Sequence, residues 1–356
     1  MEEIDLTLDI PVWQAPMAGV TTPELVAAVS NAGALGNIGA GYLTAEKTRG
    51  FIHEVKERTD KPFGINVFCP ESHHSSLEEI EKIHQVMRRF REELGVGDQL
   101  PELPRGSVFE EQIEVIIEEK LPVCSFTFGL PGRDVIHRLK GQGIKVVGTA
   151  TTVREAIEAE KAEVDALVVQ GSEAGGHRGS FIGEEKYIGL MSLLPQVTDQ
   201  VTIPVIGAGG MMDARGILAA LCLGAQAVQL GTAFLTTRES GAHRLHKQAI
   251  LSASEEDVMF TKVFSGKTAR GIQNRFIEEM KEYEGELPAY PIQNALTTNI
   301  RKAAGSQDKA DFMSLWCGQS PRLSRDWTAQ ELIYQLKSEI ESRWNQINTS
   351  GKIKGE

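Results

Sequence analysis

The sequence predicts an α/β protein, a (β/α)8 TIM barrel with a C-terminal helical cap. Short apolar segments of strand length alternate about eight times with helical segments before residue 235. These segments are apolar throughout, as expected for parallel strands that are buried on both faces. Beyond Ala233 the pattern becomes mostly helical. An eightfold alternation of this length favours a closed barrel over an open, doubly wound sheet.

The elements of the barrel follow from local signals. The first strand, at 12–14, lies between two prolines, and Thr22 followed by Pro23 is a typical N-cap and first helical residue. The other strands are expected at 34–37, 62–67, 123–126, 145–149, 166–170, 204–207 and 227–230. The helices between them are expected at 22–32, 44–58, 110–120, 133–142, 153–160, 190–197 and 213–223.

The chain is expected to divide into two regions. Residues 1–235 form the barrel, with an excursion at about 70–105, and residues 236–350 complete the barrel and form a helical cap over the active site. The excursion holds a charged helix at 77–94, which lies either over the barrel mouth or on a solvated surface. The cap is expected to contain helices at 242–253, 273–283, 294–303, 309–316 and 327–344, a β-like segment at 258–264 and a frayed end at 349–356.

Composition excludes several classes of protein. A net charge of −12 argues against a nucleic-acid or anionic-membrane binder, and it means that any anionic ligand needs a local positive site. No apolar run approaches the roughly 18 residues that span a membrane, and the acidic start lacks the basic region of a signal peptide. The cysteines, Cys69, Cys124, Cys222 and Cys317, are far apart. We therefore expect a cytoplasmic protein with reduced thiols, no disulfide and no metal site.

One glycine-rich loop is the main candidate for chemistry. The apolar strand at 166–170 leads into Q-G-S-E-A-G-G-H-R-G, in which glycines let the backbone turn sharply and approach a ligand closely. His177 lies in this loop, at the strand end where barrel enzymes place their active sites. The sequence therefore predicts His177 as the catalytic residue, with a flexible turn and a solvated histidine as the alternative.

Two further loops predict a phosphate site. Gly209 and Gly210 follow the seventh strand, and Gly231 and Thr232 follow the eighth. Loops after these two strands of a barrel commonly bind phosphate through backbone N–H groups. The pattern is not that of a P-loop. Tight turns without a ligand are the alternative.

Three amides near strand ends suit a planar polar heterocycle. Asn66, Gln170 and Gln229 can both donate and accept hydrogen bonds, which matches the edge of a flavin ring. Each of them, taken alone, could instead be a buried amide whose hydrogen bonds are made to the backbone.

Five motifs together resemble the nitronate monooxygenase family. They are W-Q-A-P-M-A-G at 13–19, G-I-N-V at 64–67, Q-G-S-E-A-G-G-H at 170–177, G-A-G-G at 207–210 and Q-L-G-T at 229–232, and the resemblance continues at 290–297 and 316–319. It implies non-covalent FMN and oxidation of alkyl nitronates by O2 to carbonyl compounds and nitrite. His177 would lie beside the flavin and the substrate. The residues expected to contact FMN are Ala15, Pro16, Met17, Asn66, Gln170, Gly175, Gly209, Gly210, Gln229, Leu230, Gly231 and Thr232.

The expected chemistry demands little proton transfer. A nitronate is already an anion, so His177 could stabilise it as a cation or a hydrogen-bond donor, or act as a neutral base on a nitroalkane. The flavin would supply the chemistry with O2.

Two other functions stay open from the sequence. The FMN-dependent enoyl-acyl-carrier-protein reductases, which use NAD(P)H, share the barrel and a very similar E-A-G-G-H loop. Against them, this chain has Gln170 where we expect a glutamate in those reductases, and it carries the long cap. A flavin-binding protein without turnover is the third alternative. The residues do not distinguish a monomer from a homodimer.

Overall fold

The computed structural model describes residues 6–71, 75–103 and 108–349. Its strands are β1 (Val12–Gln14), β2 (Gly36–Gly39), β3 (Phe63–Phe68), β4 (Val123–Thr127), β5 (Lys145–Ala150), β6 (Ala166–Gln170), β7 (Gly176–His177), β8 (Val205–Ala208), β9 (Ala227–Leu230), β10 (Val258–Thr261) and β11 (Ala269–Ile272). Eight of them form a parallel sheet in the order β1, β9, β8, β6, β5, β4, β3, β2. A parallel bridge between Trp13 and Leu35 joins its two ends. The predicted (β/α)8 barrel is confirmed.

Helices surround the barrel and continue into the tail. They are α1 (Pro23–Asn31), α2 (Ala45–Lys56), α3 (Leu77–Val86), α4 (Arg88–Glu93), α5 (Phe109–Glu118), α6 (Arg133–Gly141), α7 (Val153–Lys161), α8 (Leu190–Thr198), α9 (Ala214–Cys222), α10 (Thr232–Leu235), α11 (Arg244–Ser252), α12 (Arg275–Met280), α13 (Ile292–Ser306) and α14 (Ala329–Thr349). Short 3-10 helices lie at Lys281–Glu286, Ala310–Phe312 and Pro321–Leu323. Thr22 caps α1 as predicted, since its hydroxyl accepts from the N–H of Leu25 at 3.0 Å. Within the described ranges, no helix is long and apolar enough to cross a membrane.

Alternate residues of the barrel strands pack on opposite sides of the sheet. Trp13 and Val147 belong to a small cluster that fills the barrel interior. Their neighbours in sequence, Val12 and Val146, belong to the large cluster shared with the surrounding helices. The barrel interior is therefore a packed core, so within the barrel a ligand would bind at the mouth.

The last helix completes the outer layer of the barrel. α14 packs against α9 and α1, between the helices that flank the junction of β9 and β1. It thus occupies the position that a helix following the eighth barrel strand would take. The boundary between barrel and cap near residue 235 stays a prediction.

The excursion packs on the tail. Its predicted single helix is two helices, α3 and α4, which meet at Met87, where ψ is 0°. The Phe90 ring lies 4.9 Å from the Phe276 ring and 5.8 Å from the Phe312 ring, measured between centroids. These contacts make α4 part of the hydrophobic core of the tail. Residues 72–74 and 104–107, at the two ends of the excursion, lie outside the described residues.

The tail differs from the sequence prediction in two ways. A helix at 309–316 is wrong: only one 3-10 turn forms at Ala310–Phe312, because the next residues pair with β11. Leu315 accepts a hydrogen bond from the N–H of Ile272 at 2.9 Å, and Trp316 bridges to Gly271. The β-like segment at 258–264 ends at Thr261, and the predicted frayed end lies mostly outside the described residues.

A second, antiparallel sheet escaped prediction. It has the order β10, β11, β7, and Ala269 pairs with His177. β7 contains only two residues, too few to show a period of two in the sequence. This pairing fixes the backbone of the histidine loop to the tail.

Candidate active site

A cavity of about 370 Å³ opens at the carboxyl ends of the barrel strands. This volume lies within the range of roughly 300–1,000 Å³ that is usual for small-molecule sites. The predicted residues that line it are Ala15, Pro16, Met17, Asn66, Gln170, Gly175, His177, Gly209, Gly210, Gln229, Gly231 and Thr232. Leu230 does not line the cavity: its side chain is buried in the core, and its carbonyl accepts from the N–H of Ala15 at 2.8 Å.

The glycine loops form one wall through close backbone packing. Gly209 and Gly210 have φ values of 131° and 67°, conformations that favour glycine. A Cβ atom on Gly210 would lie 2.9 Å from the Cβ of Glu173, and one on Gly175 would lie 2.6 Å from the carbonyl carbon of Cys317. This wall therefore requires glycine and presents backbone instead of side chains to the cavity.

The three predicted amides do not act as one set. The Gln170 amide donates to the carbonyl of His177 at 3.0 Å and accepts from the N–H of Gly179 at 2.9 Å, so it clamps the histidine loop. Asn66 donates to the hydroxyls of Ser125 and Thr127 at 3.0 and 3.1 Å. The side chain of Gln229, which lines the cavity, has no hydrogen-bond partner within the described ranges. Gln229 is thus the amide most available to a ligand.

His177 is enclosed by aromatic rings. The ring of Trp316 lies 5.4 Å from the imidazole, that of Phe128 lies at 5.9 Å and that of Tyr290 at 6.1 Å, measured between centroids. Burial, together with the positive charges of Lys267 and Arg301, lowers the pKa of His177 from its usual 6.5 to about 3. This environment favours the neutral imidazole over the imidazolium.

The hydroxyl of Ser265 contacts one ring nitrogen of His177. His177 Nε2 lies 2.8 Å from the Oγ of Ser265, and that hydroxyl donates to the carbonyl of Lys267 at 3.0 Å. When the hydroxyl donates to the carbonyl of Lys267, Oγ accepts from Nε2–H. Nδ1 then keeps its lone pair and has no partner among the described residues. A neutral imidazole held in this way is suited to accept a proton.

Two buried charges hold the histidine loop in place. Arg178 is only 1% exposed and donates to the carbonyls of Gln170, Gly171 and Lys186. The fully buried carboxylate of Glu155 accepts from the N–H groups of Phe181 and Ile182 at 2.7 and 3.0 Å. The sequence analysis missed both, because a charged residue gives no sign in the sequence that it is buried.

The cap brings further residues to the cavity that the sequence analysis missed. They are His246, Asn294, Arg301, Ser314 and Trp316, and the barrel loop between β2 and α2 adds Tyr42. Asn294 and Arg301 lie seven residues apart on α13, a spacing that places them on one face of the helix. That spacing was the available signal, although nothing in the sequence indicated that this face meets the barrel.

The cysteines behave as expected for reduced thiols. All four are free, and only Cys222 is exposed. Burial raises the pKa of the thiols of Cys69 and Cys317 to about 12, which keeps both protonated. No group of three or more His, Cys, Asp or Glu within the described ranges could hold a metal ion.

Comparison with known proteins identifies the family. The family model described as "Nitronate monooxygenase" matches residues 2–339. A probable nitronate monooxygenase of Staphylococcus haemolyticus (strain JCSC1435) is 49% identical over 341 residues, which cover 95% of this chain and 96% of that protein. Another probable nitronate monooxygenase, from Staphylococcus aureus (strain Newman), is 47% identical over 338 residues, which cover 94% of this chain and 95% of that protein.

Two solved structures share the fold along nearly the whole chain. Nitroalkane oxidase from Streptomyces ansochromogenes has a TM-score of 0.89 and 38% identity, covering 96% of this chain and 98% of that one. FabK from Thermotoga maritima has a TM-score of 0.77 and 31% identity, covering 96% of each chain. The chain is an oxidoreductase and belongs to the nitronate monooxygenase family, whose members depend on flavin.

Proposed function

We propose that this enzyme binds FMN at the barrel mouth and oxidises alkyl nitronates with O2 to carbonyl compounds and nitrite. The observation that carries the proposal is the convergence of the β8 and β9 glycine loops and the His177 loop on one cavity. Family membership and the similarity to a nitroalkane oxidase support it.

The residues of the cavity fit a flavin mononucleotide. The backbone of Gly209, Gly210 and Gly231 would hold the phosphate, since left-handed glycines at the first two positions leave room for it. The free amide of Gln229 and the backbone of Ala15 would face the ring. When bound, the flavin supplies electron transfer and reaction with O2.

His177 would serve as a base and not as the source of positive charge. Its burial and neighbouring cations favour the neutral imidazole, and Ser265 leaves Nδ1 free to accept a proton. A neutral nitroalkane must lose a proton from carbon before it can react as a nitronate, and His177 Nδ1 would take it. A nitronate needs no such step, so its turnover would depend less on His177.

A reductase is the second candidate, because FabK from Thermotoga maritima shares the fold at 31% identity. Anaerobic mixing of the flavin-loaded enzyme with each reductant separates the functions. Reduction of the flavin by an alkyl nitronate, with little or none by NADH or NADPH, is expected. Rapid reduction by NADH or NADPH alone would instead support the enoyl-acyl-carrier-protein reductase. No reduction by either would indicate a flavin-binding protein without turnover.

A further inference from the structure

We propose that Arg301 forms the anion subsite of the cavity and holds the negatively charged nitronate. This inference deepens the proposed function and rests on it for the identity of the anion. Among the described residues that line the cavity, Arg301 is the only one with a permanent charge, and none is acidic. The rest of the protein is strongly acidic, with a net charge of −12. An anion entering the cavity therefore meets a local positive field.

The hydrogen bonds of Arg301 leave part of its guanidinium unused. Nε donates to Thr297 Oγ1 at 3.1 Å, and Nη2 donates to the carbonyl and side-chain oxygens of Asn294 at 2.9 and 2.8 Å. Nη2 also lies 3.2 Å from Thr298 Oγ1. Nη1 has no acceptor among the described residues. These hydrogen bonds fix the orientation of the planar guanidinium group. Its remaining N–H groups are available to a ligand.

No carboxylate in the described ranges neutralises Arg301. All its acceptors are neutral groups of its own helix, α13, and it takes part in no ion pair there. The internal segments outside those ranges, 72–74 and 104–107, contain no acidic residue. Burial lowers the pKa of Arg301, although a guanidinium still stays charged. Even a partly buried cation without a counter-ion is costly, and a bound anion lowers that cost.

Comparison with two buried arginines, Arg178 and Arg270, argues against a purely structural role for Arg301. Arg178 donates to three carbonyls across the histidine loop, and Arg270 donates to the carbonyl of Ser172 while stacking on the Phe260 ring at 3.9 Å. Arg178 thus joins the two ends of the histidine loop, and Arg270 joins β11 to the start of that loop, 98 residues away in sequence. Within the part of the chain that the structure describes, Arg301 donates only to residues 294–298 of its own helix and ties α13 to no other element.

Arg301 and His177 have different roles in this proposal, anion binding and proton removal. The charge of Arg301 disfavours protonation of His177 and thereby helps to keep it a base. The same charge attracts the anion that His177, once neutral, cannot attract. We therefore expect Arg301 to govern the KM for nitronates, whereas His177 governs proton removal from nitroalkanes.

The test uses the flavin-loaded enzyme and nitrate, a planar monoanion that the enzyme does not consume. Arg301→Gln should weaken nitrate binding, followed by the change in flavin absorbance, by at least about 10-fold, the scale of a lost charged hydrogen bond. The KM for a nitronate should rise by a similar factor with kcat within about threefold, while the KM for the nitroalkane, which carries no charge when it binds, stays within about threefold. Lys302→Gln removes the same charge from an exposed position of the same helix. It should change neither the nitrate affinity nor the KM for a nitronate.

Each outcome decides the proposal. Nitrate affinity that is unchanged in Arg301→Gln would overturn it, as would an equal rise in KM for the neutral nitroalkane. If Arg301→Gln loses flavin or unfolds, Arg301→Lys replaces it, because lysine keeps the charge but not the fork. That variant should bind nitrate several-fold more weakly, and unchanged affinity there would equally overturn the proposal. A wild type that binds nitrate through Arg301 but oxidises no nitronate would sink the proposed function and keep the subsite.

Discussion

The two walls of the cavity are built in different ways. The wall beneath β8 and β9 consists of backbone from Gly209, Gly210 and Gly231, each placed directly by the end of a barrel strand. The other wall consists of side chains, among them His177 and Arg301, which the short strand β7 and the cap helix α13 carry to the barrel mouth. The first wall needs residues without a side chain, because other segments lie close to it. The second wall acts through the charge of Arg301 and the protonation state of His177. We therefore expect substitutions in the backbone wall to reduce cofactor binding and substitutions in the side-chain wall to reduce turnover.

The largest effect is expected in the backbone wall. Gly210→Asp places a Cβ 2.9 Å from that of Glu173, in a left-handed conformation, and adds a negative charge where we place the phosphate. FMN content should fall to near zero while the barrel still folds. Flavin released by denaturation, measured against protein, checks this. Gly50→Asp is the control, because a Cβ there meets nothing within 4 Å, and full flavin content in Gly210→Asp would remove our phosphate assignment.

The next effect separates the walls most clearly. His177→Asn should keep FMN bound, because we place the phosphate contacts at the glycine loops after β8 and β9 and not at His177. Turnover of a neutral nitroalkane should fall by about 10²-fold or more, the scale of a lost general base, and turnover of the nitronate by about tenfold or less. Anaerobic flavin reduction per bound FMN is the measurement, with the exposed His137→Asn as control. Equal losses on both substrates would contradict the role of a base.

A smaller effect on turnover is expected from Ser265, which contacts the His177 ring and does not line the cavity. Ser265→Ala removes the acceptor for His177 Nε2–H, so the imidazole loses its fixed orientation and tautomer. Nitroalkane turnover should fall by about tenfold, in line with the loss of a hydrogen bond worth about 1 kcal/mol or more. Nitronate turnover in the same preparation is the internal control and should change little. A variant with wild-type activity on both substrates would show that the hydroxyl does not position the ring.

The smallest effect is on stability. The pKa of His177 is lowered to about 3 in the folded protein, so between roughly pH 6.5 and 3 the unfolded chain binds a proton that the folded chain does not. The free energy of unfolding therefore falls as the pH falls through this window. His177→Asn lacks this contribution, and its Tm should decline less steeply with acid than that of the wild type. Parallel Tm curves from pH 7 to pH 4 would show that His177 titrates normally.

The sequence predicted the backbone wall better than the side-chain wall, for a physical reason. Glycines at the ends of buried parallel strands are a local signal, because the barrel itself fixes where strand ends point. Asn66 and Gln229 were located by the same reasoning. Arg301, by contrast, lies about 290 residues from the first strand, and its place in the cavity depends on how the tail folds back.

Errors in the secondary structure arose in the same region. The segment at 309–316 has helical composition, but tertiary pairing with β11 overrides that preference and draws Trp316 towards His177. The two-residue strand β7 is specified entirely by its partner, since Gly176 and His177 alone favour no strand. Gln170 lines the cavity, yet its amide is hydrogen-bonded within the histidine loop, whereas that of Gln229 has no partner in the described ranges.

The pairing of β7 with β11 bears on how the enzyme is made. All eight barrel strands have left the ribosome once residue 230 has emerged. The strand that pairs with His177, β11, begins only at residue 269. Ser265, which contacts the His177 ring, is 88 residues from it in sequence. We expect the nascent barrel to gather its strands first and to order its reactive loop only after the tail is translated. A chain that is cut short or clipped in the tail would therefore keep much of its barrel without an assembled catalytic loop. Activity is in this way tied to the completeness of the polypeptide.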